Sequence, residues 1–324
     1  MKKVIGIGNA LVDVLVRMDD DSILSADHLP KGSMQLIDLN FARELDKNLA
    51  KYPKKFISGG SAANTISGLS MLGVPSAFVG KICEDEYGRK YEEDLKSYGV
   101  VSRMIQGDSM SGFCTALISP DGERTMATFL GAAAQLSAHE ITEEVLKGYD
   151  ILHIEGYLLQ NYDLILNTLQ KAKKLNMEVS LDLASYNVVE QHIDFLKQIV
   201  SDYVDIIFAN EDEAHAYTSL NPEQSVEKMA QNSKIAVVKV GAKGSYAQCG
   251  DERVQVDAYD AQRIDTTGAG DLYASGFLYG YVQNKDLLTC AKIGSYISSK
   301  LVEIVGTKFS DEQWADIKKV ISVL

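Results

Sequence analysis

The 324-residue chain is short of several things that would place it quickly. It has no run of about 18 apolar residues, so no membrane-spanning helix is expected. It carries 4 cysteines, Cys83, Cys114, Cys249 and Cys290, none within a CxxC pair. Neither a zinc ribbon nor a disulfide framework fits that usage. With only 5 scattered histidines and no HExxH, a His-based metal site or hydrolase triad has little to work with. No GK[ST] occurs, which excludes a P-loop. Gly6-Ile7-Gly8-Asn9-Ala10-Leu11 opens a dinucleotide fingerprint but lacks its third glycine, which speaks against a dehydrogenase. Positive charge is scarce as well: 32 Lys plus Arg face 45 Asp plus Glu, a net charge of −13. Such a surface repels phosphate backbones and anionic lipid, so neither nucleic acid nor membrane is an expected partner. A bound anion would have to be held by local donors. The start, MKKVIGIGNALVDVLV, imitates a secretory leader, but Asp13 interrupts the apolar run and Arg17 follows. It reads as a buried first strand of a cytoplasmic protein.

What is present is an ordinary globular balance, 46% hydrophobic and 24% charged. Val- and Ile-rich runs predict buried strands at Val4–Gly8, Ser76–Lys81, Ile151–Glu155, Val179–Leu183, Val204–Ala209 and Ile235–Val240. Helical patterns lie between them at Ala62–Leu72, Glu86–Tyr98 and Tyr162–Leu175, and from Ala269 to Leu324. Ser137 with Glu140 reads as a capping box, and Asn221 before Pro222 as a helix start. This alternation predicts an α/β fold: three α/β/α layers around a mainly parallel sheet, in a single domain over 1–324. The segments at about 11–38 and 100–130 break the rhythm and predict a small accessory β-sheet.

The motif that points most firmly to chemistry is Asp265-Thr266-Thr267-Gly268-Ala269-Gly270-Asp271, leading into a helix. Backbone N–H groups of Gly268, Ala269 and Gly270 can converge on an anion, helped by the helix dipole. Asp271 would stand beside that hole. Phosphoryl transfer needs this pairing, one part neutralising the transferred group and the other accepting the attacking hydroxyl's proton. A plain helix N-terminus with glycines for packing is the simpler alternative. Gly59-Gly60-Ser61-Ala62-Ala63-Asn64 opens a second helix with room for close backbone approach and an amide for hydroxyls. Asn9 and Asp13 follow the first strand, and an Asp among Leu, Val and Ile demands a partner. Asn210-Glu211-Asp212-Glu213, at a strand's carboxyl end, offers oxygens to hydrated Mg²⁺ or simply caps a helix. Lys239-Val240-Gly241-Ala242-Lys243-Gly244 runs a strand into a glycine turn.

In this order the motifs resemble the ribokinase-like, PfkB-type carbohydrate and nucleoside kinases, over essentially the whole chain. The resemblance implies an ATP- and Mg²⁺-dependent phosphotransferase with a β-sheet lid. It implies Asp271 as catalytic base and Gly268, Ala269 and Gly270 as the anion hole. Asn9, Asp13, Gly59, Gly60 and Asn64 would hold the acceptor, and Lys239, Gly241, Gly244, Thr266 and Asn210 the nucleotide. Asn210 and Glu213 would organise Mg²⁺ through water. Arg124, in the lid, falls where an arginine could approach the phosphates. Some members of the family require a monovalent cation such as K⁺, and some pair lid strands across a homodimer; the sequence leaves both open. The Gly8-Asn9-x-x-x-Asp13 spacing, Ser61 and the Phe129–Ala133 run resemble the adenosine kinase branch, with Met34, Phe113, Phe129 and Tyr157 as candidates to contact a base. A ribonucleoside, adenosine first, is therefore the expected acceptor, with a free sugar as alternative. A non-catalytic nucleoside or sugar sensor is the competing class.

Overall fold

The computed structural model describes residues 1–324 and resolves two sheets. In chain order the strands are β1 (Val4–Ile7), β2 (Leu11–Arg17), β3 (Met34–Leu36), β4 (Lys54–Ser58), β5 (Ser76–Ile82), β6 (Val101–Gln106) and β7 (Gly112–Ile118). Then come β8 (Arg124–Phe129), β9 (Ile151–Glu155), β10 (Glu178–Asp182), β11 (Ile206–Asn210), β12 (Ile235–Lys239), β13 (Ser245–Cys249) and β14 (Glu252–Val256). The large sheet has nine strands in the order β14-β13-β12-β11-β10-β9-β1-β5-β6. From β12 to β6 all neighbours are parallel, and β13 and β14 extend the edge antiparallel. Parallel strands buried on both faces need apolar side chains on both, which is why the predicted runs are nearly unbroken Val and Ile.

The two faces have separate cores. Ile5 and Ile7 of β1 look toward the helices Tyr162–Lys174, Ile193–Tyr203 and Pro222–Ala230, and Val4 looks toward Ser61–Met71 and Ala269–Val282. All six predicted strands and three helices are present within one to three residues of their expected ends. No helix is long and apolar enough to cross a membrane.

Two expectations need correction. The small sheet, ordered β3-β8-β7-β2-β4, draws not only on the predicted segments but on Lys54–Ser58, while Val101–Gln106 joins the large sheet beside β5. The β6 pattern alternates because it is an edge strand with one solvated face, a pattern that looks the same in either sheet. Ser137 and Glu140 form only half of a capping box: Ser137 N–H donates to the Glu140 carboxylate at 3.0 Å, but the Ser137 hydroxyl donates to it too, at 2.7 Å, while Glu140 N–H donates to Ser137 O. They close a turn rather than a helix; the short helix Glu143–Leu146 is capped by Thr142 instead.

The small sheet is tied to the large one through β1 and β2, which are separated only by Gly8, Asn9 and Ala10. Register places Asp13, Cys114, Thr128 and Leu36 across one face, with Leu15, Ala116, Met126 and Met34 two residues along. Part of that face packs against Val305 through Leu15, Ile57, Ala116 and Ile118.

Candidate active site

The helix Ala269–Val282 starts at the carboxyl side of the large sheet with Gly268 as its N-cap, at φ 68°. An L residue rarely adopts that conformation, and a Cβ at Gly268 would also sit 2.6 Å from Thr307 Cγ2. At Gly270 the obstacle is different: a Cβ would lie 2.9 Å from Lys239 Nζ. The lysine ammonium therefore rests directly on the glycine loop. Of the loop's N–H groups, Ala269 donates to Thr266 O at 3.2 Å, whereas those of Gly268, Gly270 and Asp271 make no hydrogen bond within the chain. The available anion donors are thus Gly268, Gly270 and Asp271 rather than the expected trio including Ala269. The reason is geometric: the turn that opens the helix consumes the Ala269 amide.

Asp271 stands at the third helical position, half-buried, and joins this helix to Ser61–Met71. Ser61 Oγ donates to its Oδ1 at 2.8 Å and Asn64 Nδ2 to its Oδ2 at 2.9 Å. Burial raises its pKa to about 6, with the Asp182 charge adding to the rise, while the two hydrogen bonds and Lys239 oppose it. A carboxylate of that strength is ionised at pH 7 yet basic enough to take a proton.

The Gly59-Gly60 pair serves the other side of the site. Asp13 lies over Gly59, where a Cβ would fall 2.2 Å from Oδ2; at Gly60, φ is 92° and a Cβ would meet Asn9 O at 2.4 Å. Burial lifts Asp13 to about 7, against the pull of Arg124 and Lys308. Asn9 itself is held from below. The fully buried Glu155 accepts from Asn9 N–H at 2.8 Å, Asn9 Nδ2 at 2.9 Å and Ala62 N–H at 2.8 Å. One carboxylate thus fixes the β1–β2 connection and the start of the Ser61–Met71 helix, whose own N-cap, Gly60, has no side chain to do so. Burial raises Glu155 to about 7.

On the sheet side, Lys239 Nζ donates to Asp182 Oδ2 at 2.9 Å, and burial leaves both side chains little exposed. Asn210 and Glu213 form a complete capping box on the helix Glu211–Thr218: Glu213 accepts from Asn210 N–H and Nδ2 at 2.8 and 2.7 Å, and Asn210 Oδ1 accepts from Glu213 N–H at 2.8 Å. Burial beside Asp182 pushes Glu213 to about 7. No group of three His, Cys, Asp or Glu side chains converges to hold a bare metal ion. The residues fit a hydrated ion instead: buried Glu213 and exposed Asn210 stand together at the sheet's carboxyl edge, with oxygen lone pairs left over for water. Gly241 is exposed and open, Thr266 is exposed, and Gly244 is pressed against β14, where a Cβ would lie 1.8 Å from Val256 O.

The sequence missed Glu155, Asp182, Asp265 and Lys308 as parts of this assembly. Asp265 receives the Arg124 guanidinium, together with Gly306 N–H at 2.7 Å and Thr267 N–H at 2.9 Å. Arg124 is therefore already paired rather than free for phosphate. Glu155 and Asp182 carried a signal that was there to be read, a charge inside an apolar strand. Lys308 carried none, lying in a loop. Among the candidates for base contact, Met34 lies on the Asp13 face. Phe113 and Phe129, 5.5 Å apart, lie on the opposite face with Tyr87, and Tyr157 donates to Ala184 O at 3.1 Å.

A half-buried carboxylate, unengaged amides and an ammonium at one helix start, at the carboxyl edge of a parallel sheet, suit the class of phosphoryl-transfer enzymes of the α/β type. Residues 32–314 match the model of the pfkB family of carbohydrate kinases. The 5-dehydro-2-deoxygluconokinase of Bacillus licheniformis is 29% identical over 306 residues, covering 89% of this chain and 92% of its own. A probable sugar kinase from Rhizobium etli superposes with a TM-score of 0.92 at 30% identity, covering 98% of both chains. An adenosine kinase from Sinorhizobium meliloti gives 0.92 at 31%, covering 98% of this chain and 99% of that one. The chain belongs to the pfkB carbohydrate kinase family and is an ATP-dependent kinase with the ribokinase-like fold.

Proposed function

We propose that the chain moves the γ-phosphate of ATP to the primary 5′-hydroxyl of a ribonucleoside, adenosine-like, with Asp271 as general base. The observation that carries the chemistry is the placement of Asp271, its carboxylate held by Ser61 and Asn64 beside three unengaged N–H groups and Lys239. In this reading the acceptor oxygen attacks the γ-phosphorus, its proton passes to Asp271, and the bond to the β–γ bridging oxygen breaks to release ADP. The amides of Gly268, Gly270 and Asp271, with the Lys239 ammonium, stabilise charge on the phosphoryl group in transit. Mg²⁺, held through water by Asn210 and Glu213, would neutralise the nucleotide phosphates. The small sheet acts as a lid that excludes water, a competing acceptor. Asp13 holds acceptor hydroxyls.

Two observations support a nucleoside. Beyond Asp13, Cys114 and Thr128 the same face of the lid continues as Leu36, Met34 and Met126, a largely apolar strip suited to a base. The adenosine kinase at 31% identity points the same way. A sugar acceptor is the second reading, favoured by the likeness to 5-dehydro-2-deoxygluconokinases. An acidic sugar would need an unengaged cation near Asp13; Arg124 is spent on Asp265, but Lys308, which no carboxylate pairs, acts on Asp13 and could serve. The test is ADP release with Mg-ATP against adenosine, inosine, guanosine, ribose, fructose and 5-dehydro-2-deoxygluconate. Selective turnover of one nucleoside is expected. Turnover with a sugar alone would overturn the acceptor and keep the chemistry. Tight nucleoside binding without turnover would favour a sensor.

A further inference from the structure

Behind the site, between the helix Ser61–Met71 and the Thr307–Phe309 loop, lies a small cavity with about 10 Å³ available to a water centre. That is room for one water molecule and for nothing larger. Its polar lining is unusual. Asn64, Ser67 and Thr307 line it, each no more than 6% exposed, and Asn64 Oδ1, Ser67 Oγ and Thr307 Oγ1 have no hydrogen-bond partner in the chain. Three orphaned oxygens around one space are costly unless something inside bonds them. Lys308 also lines the cavity, its ammonium 4.3 Å from the Tyr98 ring centre and paired with no carboxylate. Leu272 and Trp314 close the apolar side. With an ammonium in the wall and no carboxylate oxygen, the space favours a neutral ligand over a cation.

We propose that one water molecule fills this cavity, donating to Asn64 Oδ1 and exchanging hydrogen bonds with Ser67 and Thr307, so that the Asn64 amide is locked with Nδ2 toward Asp271. The inference rests on the reading of Asp271 as base. It follows from what an amide can do: Oδ1 only accepts, Nδ2 only donates, and a flipped Asn64 would turn its oxygen onto the Asp271 carboxylate. The Asp271 carboxylate, which only accepts, selects Nδ2, and a water donating to Oδ1 strengthens that arrangement. The same water is linked to the anion loop, because Thr307, which lines the cavity with its hydroxyl unpartnered, packs its methyl over Gly268. Ser67 and Thr307 are thus positioning residues: they act on the proton acceptor through Asn64.

The experiment compares Ser67→Ala, Thr307→Val, Thr307→Ser and the Ser67→Ala/Thr307→Val double variant, with kcat, acceptor KM, the acid limb of kcat against pH, and Tm. Each hydroxyl deletion is expected to lower kcat about three- to tenfold, the worth of one hydrogen bond, with acceptor KM within about twofold. The acid limb should move to higher pH, since the Asn64 bond to Asp271 holds its pKa down. Asp13, Asp182, Glu155, Glu213, Lys239 and Lys308 also act on Asp271 electrostatically and are the same in every variant. Thr307→Ser keeps the hydroxyl but loses the methyl over Gly268, so it should keep the wild-type acid limb whatever it does to kcat. The double variant should be no worse than the poorer single, because both act through one water. Unchanged kcat and limb in both single variants, whatever happens to Tm, overturns the proposal. So does a high-resolution crystal structure with the cavity empty or holding a metal cation. Asp271→Asn, assayed alongside, separates the two ideas: its full activity would sink the base assignment, whereas an inert Asp271→Asn beside unaffected hydroxyl variants would sink only the water.

Discussion

Asp271 is one of several carboxylates around the site, and its surroundings assign it a distinct role. Asp13, Glu155 and Glu213 rise to about 7, while Asp271 reaches about 6 because Asn64 and Ser61 hold its charged form. Activity should therefore fall as pH drops through about 6, with the limb visible in kcat. Asp271→Asn should lower kcat on the order of 10²- to 10⁴-fold while leaving ATP binding in place, measured by turnover and calorimetric titration. The glycines give a second prediction. Gly268→Ala must be forced into a positive φ against Thr307, and Gly270→Ala pushes Lys239 off the loop. Both should cost more in kcat than in Tm, and a Gly270→Ala enzyme with wild-type kcat would remove Lys239 from the phosphoryl site. At this scale the sequence was most legible where chemistry is packed into one contiguous string, as at 265–271. It was least legible where partners come from far apart: nothing near Lys308 announces that it will stand behind Asn64, and nothing at Arg124 announces Asp265.

Elements were legible for the same reason that parallel sheets are conspicuous: a strand buried on both faces leaves no ambiguity of period. The small sheet was half-legible, because β4 is a short strand with no alternation to mark it and β6 an alternating one whose choice of sheet depends on the connections around it. The Ser137–Glu140 pair shows the limit of a local signal, since half of the capping bonds formed and the helix did not. The element-scale prediction concerns Glu155, which ties the β1–β2 connection to the Ser61–Met71 helix through three N–H donors. Glu155→Gln turns one acceptor into a donor facing donors. It should cost about 1–3 kcal/mol of stability and raise acceptor KM, because Asn9 and the Gly59–Gly60 turn lose their common anchor. Denaturant unfolding with parallel kinetics checks both, and an unaffected KM would restrict Glu155 to a structural role.

The whole molecule carries its acidity inside as well as outside. Asp13, Glu155, Glu213 and Asp271 all have folded-state pKa values above their ordinary ones of 3.8 or 4.5. Between those limits the folded chain holds protons that the unfolded chain has released. Their contribution to stability is therefore fully present below about 4 and is lost as pH rises through 6 to 7. The net charge of −13 adds self-repulsion in the same direction. The ligand-free protein should melt a few degrees lower at pH 8 than at pH 6, and Mg-ATP should recover part of the difference; equal or reversed melting temperatures would show the buried carboxylates to be compensated. The proposed pairing of Asp271 as base with an anion hole at the same helix start is tested by steady-state ADP release of wild type and Asp271→Asn with Mg-ATP and the best acceptor, across pH 5 to 8. The account predicts a wild-type limb near 6 and a variant with neither the limb nor appreciable turnover. A variant that keeps turnover within a few-fold of wild type, with the limb intact, would contradict it.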